Sequence, residues 1–126
     1  MKTTITILLS CISALLFAQK GLKLLTIKPL TGNFYVYITY SLYKGVPVPA
    51  NAMYLVTNDG VMLFDTPWDS TQFQPLLDSI EARHHKKVIA CIATHSHEDR
   101  TGGFDYYSSK GIKTTKRRII FAIKRF

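Results

Sequence analysis

Residues 88–93 (VIACIA) are apolar without a break, and few folds accommodate such a strand. It asks to be covered on both faces, which is the environment of a strand inside a parallel α/β sheet. What precedes it agrees. After Asp65-Thr66-Pro67, Asp69 or Ser70 offers a side-chain oxygen to cap a helix. Phe73, Leu76, Leu77 and Ile80 then recur at the spacing of one helical face, as far as about His84, and Lys86-Lys87 ends the run. Strand, helix and strand in that order imply a parallel pair joined by a right-handed crossover, so the fold class is α/β.

Upstream, residues 33–40 (NFYVYITY) are β-branched and aromatic with near period-two alternation, which predicts a strand with one face on a core. Two short apolar runs, 52–57 and 61–64, flank Asn58-Asp59-Gly60, the strongest hairpin signal in the chain. Residues 43–49 (YKGVPVP) carry Gly45, Pro47 and Pro49 and read as an exposed loop between strands. Downstream, a helix is expected over about 101–109, with Gly111 as its stop and 112–115 opening the next strand. Bland roles suffice for several residues. His84 and His85 at a helix end are expected to face solvent, and Cys91, Trp68 and the Phe73 stripe to lie in the core.

Residues 1–18 have Lys2, an apolar run over 5–17 and the small residue Ala18 before Gln19. They form a secretory signal peptide, so the mature protein is expected to be exported to the periplasm. A lipoprotein-like box ends at Cys11, but the apolar run continues past it. If Cys11 leaves with the signal, only Cys91 remains and no intrachain disulfide can form. The net charge of +8 is concentrated in the last eleven residues, where Lys116, Arg117, Arg118, Lys124 and Arg125 stand. The body is only mildly basic, which argues against a nucleic-acid partner. Around residues 119–123 the basic tail has an amphipathic composition that would suit membrane contact. From Lys116 the chain has no turn residue, acid or cap.

The chemistry is concentrated in residues 94–103, THSHEDRTGG, directly after the buried strand. Ligands gather at the carboxyl ends of strands in open α/β sheets. His95, His97 and Asp99 alternate there, so two imidazoles can converge on one ion while a carboxylate reaches a neighbouring one. Zinc accepts this mixture of nitrogen and oxygen ligands, and a hydrolytic zinc site keeps one position open for water.

HSHED followed by Arg100 and Gly102-Gly103 resembles the H-x-H-x-D motif of the metallo-β-lactamase superfamily. Leu63-Phe64-Asp65-Thr66-Pro67-Trp68 and the segment 51–57 (NAMYLVT) resemble class B (metallo) β-lactamases, over roughly residues 22–115. The resemblance implies zinc-dependent hydrolysis of the β-lactam amide bond, with two Zn²⁺ ions, a β-lactam antibiotic as substrate and no covalent enzyme intermediate. His95 and His97 would bind the first zinc and Asp99 the second. Asp65 would orient ligands by hydrogen bonding, Arg100 would balance the anionic ligands, and residues 43–49 would be the flap over the substrate. It also implies a third histidine, a cysteine and a further histidine from later in the chain. After Asp99 there is neither His nor Cys. The expectation is therefore an interruption near residue 115. Residues 19–115 would form a partial domain, the N-terminal half of an αββα sandwich, and 116–126 an unrelated basic tail, the whole lacking activity. The alternatives are another hydrolase of the superfamily, thioesterase-like, or a non-enzymatic secreted fragment acting through its tail.

Overall fold

The computed structural model describes residues 24–115; the signal peptide, Cys11 and the basic tail lie outside the described residues. Six strands form one mixed sheet in chain order: β1 (Leu25–Thr31), β2 (Phe34–Tyr43), β3 (Val46–Val56), β4 (Val61–Phe64), β5 (Val88–Ile92) and β6 (Lys113–Thr115). The first four pair antiparallel, and β4–β5 and β5–β6 pair parallel. Between β4 and β5 come a 3₁₀ turn, Ser70–Gln72, and α1 (Phe73–His84). Two short helices, α2 (Glu98–Thr101) and α3 (Phe104–Ser109), separate β5 from β6. The α/β class expected from the strand–helix–strand order is the one observed.

Of the two candidate caps Asp69 is used, but on the 3₁₀ turn that leads into α1: its carboxylate accepts from the Thr71 backbone N–H at 2.9 Å, and α1 itself starts after Gln72 with no side-chain cap. Phe73, Leu76 and Ile80 of α1 are buried, and full burial of a Leu or Ile side chain contributes about 1.5–3 kcal/mol. They meet one core built from β2 to β5 and from Phe104, Tyr107 and Ile112. His85 ends α1 in the left-handed conformation. The Asn58-Asp59-Gly60 hairpin forms as expected, with Val56 opposite Val61. Gly60 has φ 153°, and a Cβ there would lie 2.6 Å from Ile89 Cγ2 and 2.9 Å from the Lys87 carbonyl oxygen, so only glycine fits.

Several expectations are corrected. Strand β1 (LTIKPLT) was not anticipated; Pro29 is tolerated because β1 is an edge. Residues 43–49 are not a loop, because β2 and β3 continue to a turn at Lys44-Gly45, with Leu42 opposite Pro47 and Tyr40 opposite Pro49. Both turn residues have positive φ, 50° and 78°, as hairpin turns of this length prefer. Pro47 and Pro49 share the strand parity of Asn51, whose carbonyl turns away from β2 to accept from Arg100. Their missing N–H groups therefore fall on the side of β3 that β4 does not reach, since β4 pairs only with residues 53–56.

β5 is covered on one face, not two. Val88 and Cys91 are buried, but Ile89 is 39% exposed and Ala90 and Ile92 are half-buried, because α1 and α3 pack with the core on one side of the sheet. The expected helix over 101–109 is broken at Gly102-Gly103. A Cβ on Gly103 would press to 3.1 Å from the Phe73 ring and from Thr66 Cβ, and its N–H donates to Thr66 Oγ1 instead of extending a helix. His84 does not face solvent: its ring packs edge-on against Tyr35 and Tyr54 and its Nε2 lies 2.9 Å from the Tyr54 hydroxyl. Trp68 is half-buried beside Tyr43, outside the core. Cys91 and Phe73 are core residues as expected.

Candidate metal centre

Parallel β4 and β5 end at the same edge, with Phe64 opposite Ile92, and the candidate residues leave the sheet from these two ends. Beyond Ile92 the chain runs through Thr94–His97 as a bend, and His97 is the extended residue that opens α2. The backbone carbonyl of His97 accepts from the N–H groups of both Arg100 and Thr101, so this one turn fixes Asp99 close to the two histidines. The ligand atoms of His95, His97 and Asp99 all lie within 4.8 Å of one another, and the two imidazoles meet edge to face at 4.7 Å between centroids. The histidines are exposed and Asp99 is half-buried. Two imidazoles and a carboxylate at this separation suit zinc, whose bound ligands lie roughly 3.3 Å apart for bonds of about 2.0–2.1 Å in a tetrahedron. Small side-chain rotations close the difference.

Asp65 is the hub behind this group. It is 6% exposed, and its φ of 70° places it in the left-handed region that non-glycine residues rarely adopt. Its N–H continues the β4–β5 ladder to the Ile92 carbonyl, at 2.8 Å. Its carboxylate points the other way, accepting from the Thr94 N–H at 2.7 Å and from the Thr94 hydroxyl at 2.9 Å. Thr94 Oγ1 is also 3.2 Å from His95 Nδ1. Because the hydroxyl proton is committed to Asp65, Nδ1 carries the proton in that contact. The lone pair of His95 is then on Nε2, free for a metal.

Arg100 ties three elements together. Its Nη1 donates to the Asn51 carbonyl of β3 at 2.8 Å and lies 3.7 Å from Asp65 Oδ2; its Nε is 3.1 Å from Asp99 Oδ2. Its backbone carbonyl also accepts from the Thr66 N–H. One cation so partly offsets two neighbouring carboxylates that would otherwise repel each other.

The five candidates His95, His97, Asp99, Asp65 and Arg100 are thus brought together. Sequence reasoning missed what stands below them. The Tyr37 hydroxyl donates to the Asp65 carbonyl oxygen at 2.8 Å, and the Cys91 thiol lies 3.5 Å from the same oxygen. Burial, followed by the nearby Asp65 charge, pushes the Cys91 thiol up to about 12, so it stays protonated and unreactive. Within residues 33–40 nothing distinguished Tyr37 from the other aromatics. The Asn51 anchor uses a backbone carbonyl, which no side-chain pattern marks.

The chain is 46% identical over 99 residues to "Metallo-beta-lactamase IND-1" of Chryseobacterium indologenes, covering 78% of this chain and 41% of that one. It is 47% identical over 97 residues to "Metallo-beta-lactamase type 2" of Elizabethkingia meningoseptica, covering 77% of this chain and 39% of that protein. Among solved structures it is similar to metallo-beta-lactamase IND-7, with a TM-score of 0.70 at 45% identity over 75% of this chain and 44% of the other. The chain therefore spans about two fifths of the length of the named relatives it matches. The profile of the metallo-beta-lactamase superfamily matches residues 45–118, more than half of these 126 residues and all of the candidate site, and the chain belongs to that superfamily.

Proposed function

We propose that this chain carries part of the active site of a zinc-dependent hydrolase of β-lactam amide bonds, and that it is exported. The observation that carries the reading is the convergence of His95, His97 and Asp99 at the end of a parallel strand pair, braced by Asp65. The names of the relatives support the substrate class. The export proposal rests on the apolar run in residues 1–18.

Bound zinc supplies a Lewis acid that polarises a carbonyl and brings the pKa of water to about 7. The chain's own groups do the positioning. Thr94 Oγ1, 3.2 Å from His95 Nδ1, orients the ring so that Nε2 can face a metal, and the Asp65 carboxylate holds Thr94 by accepting from its N–H and its hydroxyl. The Arg100 guanidinium pairs with the Asp99 carboxylate at 3.1 Å and so orients it. The end of the β2–β3 hairpin, with Leu42, Tyr43 and Val46 exposed and Tyr43 beside Trp68, offers an apolar cover for a lactam ring. Residues 100–126 hold neither His nor Cys, and among the described residues the group that could hold a metal is His95, His97 and Asp99. Three ligands are expected to hold zinc weakly and to be too few for turnover.

The test is carbapenem hydrolysis by the purified 126-residue chain with added Zn²⁺, with and without a chelator, alongside zinc binding by calorimetry. The expected result is measurable zinc binding, lost in His95→Ala, without turnover. Chelator-sensitive turnover would refute the claim that three ligands are too few. Zinc binding that is absent, or unchanged in His95→Ala, would refute the metal site.

A further inference from the structure

Asp65 makes three different hydrogen-bond commitments in three directions, and its backbone carbonyl is the least expected of them. In a regular strand end that oxygen would stay in the plane of the sheet. Here the positive φ of 70° turns it to the helix-covered face, where the fully buried Tyr37 of β2 donates to it at 2.8 Å and Cys91 of β5 approaches at 3.5 Å. A carbonyl turned into a core needs a donor, and a non-glycine residue in the left-handed region needs surroundings that hold it there. The thiol is a weak donor. Tyr37 is therefore the principal restraint. Register puts it there: Tyr37 pairs with Ala52 across the sheet, and that small, buried neighbour leaves room for the phenol to reach past β3 toward the end of β4. Burial raises the phenol well above its ordinary range, so it remains a donor.

We propose that Tyr37 is a positioning residue for the metal site: its hydroxyl holds the Asp65 carbonyl, and with it the left-handed backbone that aims the Asp65 carboxylate at Thr94. Its hydroxyl bond is to the Asp65 backbone carbonyl, not to a candidate ligand. Its effect on His95 passes through Asp65 and then Thr94, by contacts of 2.8, 2.7 and 3.2 Å. The consequence for metal affinity rests on the metal reading of His95, His97 and Asp99; the consequence for Thr94 does not.

The experiment compares Tyr37→Phe with Tyr54→Phe in the full chain. Both remove one hydroxyl from a buried tyrosine and keep the ring, but the Tyr54 hydroxyl contacts the His84 imidazole and not Asp65. The first readout is the amide proton of Thr94 in the metal-free chain at one fixed pH, since a short bond to a carboxylate shifts such a proton downfield. Tyr37→Phe is expected to move that resonance upfield and Tyr54→Phe to leave it in place. The second readout is Co²⁺ affinity from its absorption bands, expected to fall about tenfold or more in Tyr37→Phe and by less than about twofold in Tyr54→Phe, where tenfold corresponds to about 1.4 kcal/mol. An unmoved Thr94 amide in a folded Tyr37→Phe chain overturns the proposal, as does an equal shift in both variants. If the unsubstituted chain binds no Co²⁺, the metal reading fails, while the amide readout still decides the role of Tyr37.

Discussion

At the scale of single residues, the chemistry of this protein depends on pairs whose protonation is set by burial. His84 is one, although it lies outside the candidate site. Desolvation, followed by the Arg83 charge, lowers its pKa, and burial raises Tyr54 to about 12, so an un-ionised phenol lies 2.9 Å from Nε2 of an imidazole biased toward its neutral form. Tyr35, stacked on Tyr54 at 5.0 Å and edge-on to His84, completes the surroundings. The sign follows. A histidine whose pKa is depressed in the fold favours the folded state fully above its unfolded value of about 6.5, and that contribution fades as pH falls from there through the folded value. Urea unfolding from pH 8 down to 5 should therefore show stability declining more steeply in the parent chain than in His84→Gln, which keeps a polar side chain but cannot titrate. Parallel curves would show that His84 does not carry this dependence.

At the scale of elements, the β2–β3 hairpin has a marginal end. The two-residue turn at Lys44-Gly45 needs positive φ at both positions, and lysine meets that need poorly. Lys44→Asn should raise amide exchange protection in Tyr43 and Val46, which pair across the turn, and Gly45→Val should lower it. Neither change should move the protection of β4 and β5 appreciably, because β4 pairs with β3 only at residues 53–56. Equal loss throughout the sheet would mean that the hairpin end is part of the cooperative unit. These elements also show what was legible in the sequence. The α1 stripe, the Asn58-Asp59-Gly60 turn and the H-x-H-x-D segment each carry their own signal within a few residues: the first two form as expected, and the third brings His95, His97 and Asp99 together. β1 was invisible because an edge strand tolerates Lys28 and Pro29. The hairpin end was misread because Pro47 and Pro49 argue against a strand unless one knows which side of β3 is unpaired. Likewise, Trp68 and His84 were assigned by residue type, whereas their burial is decided by Tyr43 in one case and by Tyr35 and Tyr54 in the other, partners distant in sequence.

At the scale of the whole molecule, the sheet has two unlike faces. The helices cover the rows containing Tyr37 and Ala52 and containing Tyr54, Leu63 and Cys91. On the opposite face, Val36, Met53, Phe64 and Ile92 form one cross-strand row, and Phe34, Leu55, Met62 and Ala90 another; all eight are half-buried at most. An apolar surface of that continuity promotes association. The purified chain should bind 1-anilinonaphthalene-8-sulfonate and show a weight-average mass that rises with concentration in sedimentation equilibrium. Leu55→Lys, in the middle of the second row, should reduce both; a monomeric chain that leaves the dye dark would contradict this account of the face.

The turned carbonyl of Asp65 has a consequence for how such a protein would change under selection. A residue whose orientation is set from the interior couples the candidate metal site to positions that no ligand meets, so that edge of the sheet and the core are not independent territories. Laboratory evolution for altered metal use should then yield paired changes, one near the loop and one at position 37 or 91, with neither sufficient by itself. A library restricted to the pocket's rim would leave the inner member of each pair unexplored.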